Sequence, residues 1–359
     1  MAATKLAAVV TLLSFLGPVA CQGSNSSPIC LGGWLRPVKV LNFLLCPPGS
    51  SRKPPPGPSP APSAPSLSVG YYNYACPNAE KIVRDVVENA TCNDPGVGAG
   101  LIRLFFHDCF VQGCDASVLL KNTSGSSDET EMFGAPNVNS LRQSAFKVID
   151  DAKAALEEAC PNNVSCADIV AFAARDASNI LSYGKISFAI PAGRYDGRVS
   201  LASEANQNLP GPSEDLQQLK ASFASKVLDT NDLVTLSGAH TIGLARCMFI
   251  SNRPGMNATL AIELSQKCSS GDSTRVNQDY KTPDVLDSQY YQNVNDNDVL
   301  FDSDAALSSA ETQPLVNTFA KNLKEWEKEF ADAMVKMGNI GVKTSANGEI
   351  RKTCSIYNS

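Results

Sequence analysis

Histidine is scarce in this chain, since only His107 and His240 occur in 359 residues. Positive charge is not in excess, because the formal net charge is −6, so the composition gives no sign of the basic face that nucleic-acid binding requires. Beyond the N-terminus no apolar run is long enough to span a bilayer. Convincing strand alternation is scarce and no internal repeat is present. The remaining features are those of a globular chain, 43% hydrophobic, that can bury a sizeable core.

The N-terminal segment is typical of a secreted protein. Lys5 precedes an apolar run over 6–16, and a small-residue cleavage site follows and ends at Ala20. This pattern predicts a signal peptide over 1–20, with an N-terminal core helix as the alternative. Five Asn-x-Ser/Thr sequons agree with a secretory route.

Two unusual segments separate the signal from the globular part of the chain. Residues 21–46 form an extension of unknown role that holds three of the 12 cysteines. Residues 47–66 are rich in Pro and Ser, so they should form an extended spacer without helix or sheet. This spacer is either a passive linker or a stalk that associates with the cell wall.

The globular domain is predicted over 67–359 and is expected to be all-α, with very little strand. Apolar residues recur at helical spacing in four stretches, over 79–87, 146–159, 167–181 and 315–337. The best strand candidate is the short segment 185–190.

The first histidine lies in the stretch RLFFHDCFVQGCDAS, residues 103–117. Arg103 and His107 are four residues apart, so on a helix they project from the same face. His107 can take a proton from a bound peroxide and return it to the leaving oxygen. Arg103 can stabilise the negative charge that builds up as the O–O bond breaks. An isolated histidine would be interpreted as a satisfied core residue, but its neighbours favour the catalytic interpretation.

The loop after this histidine is rich in oxygen ligands. Asp108, Asp115 and Ser117 supply carboxylates and a hydroxyl, and such a set suits calcium. Cys109 and Cys114 bracket the loop and could bridge it. The alternative is a solvated turn.

The second histidine lies in the stretch DLVTLSGAHTIGLARC, residues 232–247. A helix that ends at Ser237-Gly238 would deliver His240, and histidine is a common axial ligand of haem iron. Such a ligand usually donates its second N–H to an acceptor, which the sequence alone does not locate. Thr241 and the stretch DYKTPDVLD, residues 279–287, offer a second calcium site or an ordinary Asp-rich loop.

Both stretches closely resemble those of the plant secretory (class III) haem peroxidases, and the resemblance covers 67–359. It implies the haem peroxidase fold, in which one haem b lies between a distal and a proximal helical half, together with two calcium ions. On the distal side it implies catalytic Arg103, His107 and Asn137, and calcium ligands Asp108, Val111, Gly113, Asp115, Ser117 and the outer Glu131. On the proximal side it implies the iron ligand His240, its partner Asp304, and calcium ligands Thr241, Asp279, Thr282, Val285 and Asp287.

The resemblance also implies disulfides and a substrate edge. The implied pairs are Cys76–Cys160, Cys109–Cys114, Cys166–Cys354 and Cys247–Cys268, while Cys21, Cys30, Cys46 and Cys92 have no place in that pattern. Cys92 is expected either to be free or to pair with the N-terminal segment. Pro210 would contact the reducing substrate, and Phe249 is either a channel aromatic or an ordinary core residue.

The expected protein is a secreted, extracellular and monomeric haem peroxidase without a membrane span. It would reduce hydrogen peroxide while oxidising small phenolic donors by one-electron steps, as in lignin or suberin formation and peroxide removal. Cell-wall polymers are further partners implied by the Pro-rich segment. One alternative is a cell-wall binding or structural protein on the same scaffold. Another is an intracellular haem peroxidase, which the signal, the cysteines and the calcium patterns disfavour.

Overall fold

The computed structural model describes residues 67–126, 128–135, 138, 140–250 and 253–358. The predicted segments 1–20, 21–46 and 47–66 therefore lie outside the described residues. Within the described part, the regular structure consists of 13 α-helices, a few short 3-10 turns and two three-residue strands. The predicted mainly helical fold is confirmed. None of these helices combines the length and the apolar character needed to cross a bilayer.

Six helices form the N-terminal part of the domain. They are α1 Ala79–Asn93, α2 Pro95–Val111, α3 Glu131–Gly134, α4 Gln143–Ala159, α5 Cys166–Leu181 and α6 Ala202–Asn208. Helix α2 is the central one and packs against α1, α4 and α5. Its start is fixed by Pro95 and by Asp94, whose side chain accepts a hydrogen bond from the Gly96 N–H at 3.1 Å. Helix α2 is apolar on nearly every side and is therefore largely buried. Its few polar side chains must then face a cavity or one another.

Seven helices form the C-terminal part. They are α7 Leu216–Ser225, α8 Thr230–Ser237, α9 Ala258–Cys268, α10 Gln289–Asn295, α11 Asp302–Ala305, α12 Gln313–Lys321 and α13 Leu323–Met337. The helical stretch predicted over 315–337 is divided at Asn322, whose backbone leaves the helical region. The Asn322 side chain then accepts from the Glu325 N–H and caps α13. Apolar spacing continues through the break, so periodicity alone could not reveal it.

The prediction of a strand over 185–190 was wrong. Its side chains do alternate, with Ile186 and Ile190 buried and their neighbours more exposed, as in an extended segment. No strand of the described residues pairs with it. Instead the Ile186 N–H donates to Ser182 Oγ at 2.9 Å, and its carbonyl accepts from Asn179 Nδ2 at 3.0 Å. Side chains thus satisfy backbone groups that a neighbouring strand would otherwise take.

The two observed strands are β1 Leu244–Arg246 and β2 Arg275–Asn277, which pair antiparallel. The structure contains the four disulfides that the resemblance implies, Cys76–Cys160, Cys109–Cys114, Cys166–Cys354 and Cys247–Cys268. The Cys247–Cys268 bond joins the residue after β1 to the end of α9. The Cys166–Cys354 bond ties the start of α5 to the C-terminal segment. The elements that surround the two histidines are therefore cross-linked to distant parts of the chain.

Candidate active site

The two histidines, His107 and His240, line the same cavity, which has a volume of about 280 Å³. His107 and Arg103 enter from α2, as their four-residue spacing predicts, and His240 enters from the turn that follows α8. Apolar side chains from α13, among them Phe330 and Met334, close part of the wall. Residues that are far apart in the sequence thus meet around one space.

The distal side of the cavity holds a buried imidazole beside a cation. His107 is 2% exposed, and its Nδ1 has no hydrogen-bond partner among the described residues. Burial, and then the positive charge of Arg103, hold the pKa of His107 well below its ordinary value. The ring is therefore neutral at physiological pH and can accept a proton. Asn137, predicted to bond this ring, lies outside the described residues.

Arg103 is fixed by a residue that the sequence did not point to. Its Nη2 donates to Ser140 Oγ at 2.7 Å, and its Nη1 donates to the Ser140 carbonyl at 3.4 Å. Burial, with the nearby charge of Arg246, lowers the pKa of Arg103 to about 10. The guanidinium therefore stays charged at neutral pH and is held toward the cavity.

The proximal side of the cavity holds an imidazole with one ring nitrogen already in a hydrogen bond. His240 lies on the 3-10 turn Gly238–Thr241, and its Nδ1 donates to Asp304 Oδ1 at 2.7 Å. The Tyr290 hydroxyl donates to the same oxygen at 2.9 Å. Asp304 is buried, yet the His240 side chain remains 41% exposed to the cavity. Nε2 is therefore the ring nitrogen available to a metal, as expected when a carboxylate takes the other one.

Two aromatic side chains fix the turn that carries this histidine. The Tyr291 hydroxyl donates to the Val234 carbonyl at 2.9 Å and the Thr235 carbonyl at 3.1 Å. Trp326 Nε1 also donates to the Thr235 carbonyl, at 3.1 Å. These donors add side-chain hydrogen bonds to carbonyls in the last turns of α8. A Cβ on Gly238 would lie 2.6 Å from the Tyr291 hydroxyl and 2.7 Å from Trp326 Nε1, so glycine is required there.

Buried oxygens without partners occur at the end of α2 and in the segments that follow it. Asp108 Oδ1, Ser117 Oγ and Glu131 Oε2 are all buried and have no hydrogen-bond partner among the described residues. Burial raises the pKa of Asp108 well above its ordinary value, and raises that of Glu131 to about 8. Asp115 forms an ion pair with Lys343 at 3.0 Å. Unpartnered buried oxygens are costly, and a bound cation would satisfy them.

Val111, the last residue of α2, and Gly113, whose carbonyls are predicted calcium ligands, both lie between Cys109 and Cys114. The backbone of Gly113 has φ +91°, and a Cβ there would meet Gly341 Cα at 2.7 Å. Only glycine permits this close approach of two backbones. The loop is thus closed by a disulfide and packed against the C-terminal segment.

The residues of the second predicted calcium site also lie close together. Thr241 Oγ1 donates to Asp287 Oδ1 at 3.1 Å and Asp279 Oδ2 at 3.3 Å. Thr282 Oγ1 donates to the same two oxygens, at 3.3 and 3.1 Å. Val285 lies in the same turn, since its N–H donates to the Thr282 carbonyl at 3.0 Å. Burial raises the pKa of Asp287.

Acidic side chains alone would not hold a metal at either loop. Among the described residues, no three His, Cys, Asp or Glu side chains form a group that could bind one. Hydroxyl and carbonyl oxygens would have to complete each set. Calcium accepts such mixed oxygen ligands, whereas zinc favours nitrogen and sulfur.

Sequence comparison relates this chain to one family of known proteins. The family model described as Peroxidase matches residues 83–322. The chain is 50% identical over 302 residues to Peroxidase 2 of Zea mays, covering 81% of this chain and 89% of that protein. It is 45% identical over 311 residues to Peroxidase 25 of Arabidopsis thaliana, covering 81% and 92%. It is 44% identical over 309 residues to Peroxidase 5 of Vitis vinifera, covering 82% and 92%.

The chain belongs to the peroxidase family. Membership implies a haem cofactor, hydrogen peroxide and a reducing donor as substrates, and the residues present fit that cofactor. His240 presents one ring nitrogen to the cavity, while His107 and Arg103 line the same cavity from α2.

The substrate edge predicted from the sequence, where the reducing donor would bind, also lies on the cavity. Pro210 and Phe249 both line it. Phe249 additionally packs against a small apolar cluster that includes Leu260 and Val276, so it is both a cavity residue and a core residue. The two interpretations of Phe249 are compatible.

Several residues of the peroxidase site were missed by sequence reasoning. They are Ser140, Tyr290, Arg142, Arg246 and Arg275. Arg246 could have been noticed, because it follows His240 by six residues in the motif itself. Tyr290 and Arg275 meet the site through tertiary packing and strand pairing, for which no local pattern exists.

Replacement of Gly238 by alanine should destabilise the peroxidase by about 1–3 kcal/mol, because the added methyl group would clash with Tyr291 and Trp326. It should also reduce haem content, since the displaced turn carries His240. The control is Gly211→Ala, whose Cβ would meet only Glu214 at 3.6 Å and should cost less than about 0.5 kcal/mol. Urea unfolding and the haem-to-protein absorbance ratio measure both effects. Equal stability and haem content in the two variants would contradict this packing role.

Proposed function

We propose that this peroxidase is a secreted enzyme that reduces hydrogen peroxide at one haem b and oxidises small phenolic donors by one-electron steps. The observation that carries the proposal is the meeting of two differently held imidazoles at one cavity. His107 is buried with its pKa held low, whereas His240 is bonded to Asp304 and open to the cavity. One is suited to moving a proton and the other to holding a metal.

His240 would hold the haem iron through Nε2, with Asp304 as the acceptor of its Nδ1–H. A carboxylate in that place increases the electron donation of the ring to a metal and fixes its tautomer. When bound, haem supplies the iron that takes up peroxide and the oxidising equivalents that are passed to the donor. The hydroxyl of Tyr290 shares the Asp304 oxygen and holds the carboxylate in place.

His107 would act as a base and then as an acid on the peroxide. Its neutral ring can accept the proton of the first peroxide oxygen and return it to the second, which then leaves as water. Arg103 stabilises the charge that develops during this transfer, and Ser140 holds its guanidinium. Asn137 is assigned the hydrogen bond that would keep the other nitrogen of His107 available as a base.

Phenolic donors would bind at the edge formed by Pro210 and Phe249. Two donor molecules per peroxide would each give up one electron and one proton, and the radicals would leave and couple, as in lignin or suberin formation. This role matches an extracellular, monomeric enzyme with a signal peptide over 1–20. Contacts with cell-wall polymers would come from the Pro-rich segment over 47–66.

Two calcium ions would complete the site. One would use Asp108, Val111, Gly113, Asp115 and Ser117, with Glu131 in the outer shell. The other would use Thr241, Asp279, Thr282, Val285 and Asp287. The unpartnered oxygens at the first loop and the converging carboxylates at the second support these assignments. The alternative of a wall-binding protein with weak turnover is less favoured, because the chain belongs to the peroxidase family and both histidines line one cavity.

Replacement of His107 by alanine should slow the reaction with peroxide by at least about 100-fold, because no base remains to take the proton. Stopped-flow absorbance after mixing the ferric enzyme with peroxide measures this rate. The resting spectrum should stay unchanged, since Asp304 and His240 are untouched. Arg103→Lys serves as the comparison, since it keeps a positive charge but loses the two-pronged contact with Ser140. A wild-type rate in His107→Ala would remove this residue from the chemistry.

The calcium assignments predict that the purified enzyme holds two ions, measurable by elemental analysis. Asp108→Asn should lose the distal ion alone and Asp279→Asn the proximal ion alone, so each variant is the control for the other. At free calcium about 100-fold above the dissociation constant, each ion should add about 2.7 kcal/mol to the free energy of unfolding. Thermal unfolding with and without EDTA measures that contribution. Unchanged calcium content in both variants would rule out the assignments.

A further inference from the structure

The cavity carries an excess of positive charge that the chain as a whole lacks. The formal net charge of the chain is −6. Among the charged residues on the cavity wall, four are arginines and one is a carboxylate: Arg103, Arg142, Arg246, Arg275 and Asp304. That carboxylate is already committed to His240. A cavity of one sign attracts ligands of the opposite sign.

Two of the arginines stand directly opposite each other. Arg246 in β1 pairs with Arg275 in β2 across the antiparallel ladder. Side chains of directly opposite residues project from the same face, and like charges placed there are destabilising. Ala245 and Val276 occupy the other face, where they are buried in a small apolar cluster. The ladder thus directs both guanidiniums to the cavity at a cost in stability.

No carboxylate of the described residues offsets this pair. Arg142 differs, because it forms an ion pair with Asp94. Neither Arg246 nor Arg275 forms such an ion pair within the part of the chain that the structure describes. The charge of Arg246 reaches Arg103 and contributes to lowering its pKa. An anionic ligand would relieve this repulsion.

The position of the pair relates it to the donor edge. Arg275 is exposed, whereas Arg246 is half-buried, so the pair runs from solvent into the cavity. Phe249 follows Arg246 by three residues and lines the same cavity, as does Pro210. A phenolic ring against Phe249 and Pro210 would therefore lie in the same cavity as both guanidiniums, which attract a carboxylate.

We propose that Arg246 and Arg275 form a carboxylate subsite that makes the enzyme favour phenolic acids over neutral phenols with the same ring. The proposal rests on the proposed function and adds a donor class to it. Guanidinium groups suit a carboxylate, since their planar donors match its two oxygens. Arg275, at the exposed end, is the residue that discriminates between donors.

A carboxylate could also come from the cofactor, because haem b carries two propionates. Arg103 is bonded to Ser140 and Arg142 to Asp94, so the strand pair is the part of the cavity wall where a propionate would compete with a donor carboxylate. Arg246 is the half-buried member of the pair. The exposed Arg275 is the one that a donor arriving from solvent meets first.

The test is a binding titration of the ferric holoenzyme without peroxide. The probes are 4-hydroxycinnamate and the neutral 4-hydroxycinnamyl alcohol, and the readout is the change in haem absorption. The wild type should bind the acid roughly three- to tenfold more tightly than the alcohol, the range of one charge-assisted contact near the surface. Arg275→Gln should reduce this preference to less than about twofold, and raised ionic strength should weaken it in the wild type. Arg198→Gln, which removes an exposed guanidinium outside the cavity, should leave the preference unchanged.

A second measurement separates the two sources of carboxylate. The rate of haem transfer to an apoprotein acceptor reports contacts with the propionates. Faster haem loss in Arg275→Gln with an unchanged preference for the acid would assign the pair to the cofactor and overturn the proposal. Equal binding of both probes by the wild type would overturn it as well. In either case peroxide-dependent oxidation of the alcohol would continue, whereas its absence in the wild type would contradict the proposed function instead.

Discussion

The hydrogen bond between His240 and Asp304 is the constraint around which this site is built. It joins the turn after α8 to the start of α11 and commits Nδ1, so that only Nε2 can face the cavity. Tyr290 from α10 holds the carboxylate, while Tyr291 and Trp326 hold the turn from behind. Several segments therefore depend on one imidazole orientation. Because folding already orients the His240 ring, binding of the cofactor does not have to supply the free energy of ordering it.

Each histidine is followed immediately by a candidate calcium loop. Asp108 comes directly after His107, and Thr241 comes directly after His240. A cation in either loop would therefore restrain the backbone that positions a catalytic or metal-binding ring. The buried oxygens without partners at the first loop show how poorly that arrangement is satisfied by protein groups alone. The sign of the charge thus differs across the site: the candidate calcium loops are acidic, whereas the cavity wall carries arginines.

The sequence predicted the parts of the site that are local. The spacing of Arg103 and His107 follows from helix geometry, and the turn at Gly238 places His240 where the motif implies. Asp304 needed family resemblance, since nothing in its own neighbourhood distinguishes it from Asp302. The remaining contacts arise from tertiary packing: Ser140 against Arg103, Tyr290 against Asp304, and Arg275 across the ladder from Arg246. The segment 185–190 shows the converse case, in which a true alternation of burial occurs without a partner strand among the described residues.

The absorption spectrum of the ferric enzyme in two histidine variants tests the central assignment most directly. His240→Ala should lose the spectrum of imidazole-ligated haem and recover it when free imidazole is added, because the iron ligand is removed but the cavity remains. His107→Ala should keep the wild-type resting spectrum, since in the proposed assignment its ring acts on the peroxide and does not hold the iron. The opposite pattern, with ligation lost in His107→Ala and retained in His240→Ala, would reverse the two roles and contradict the assignment.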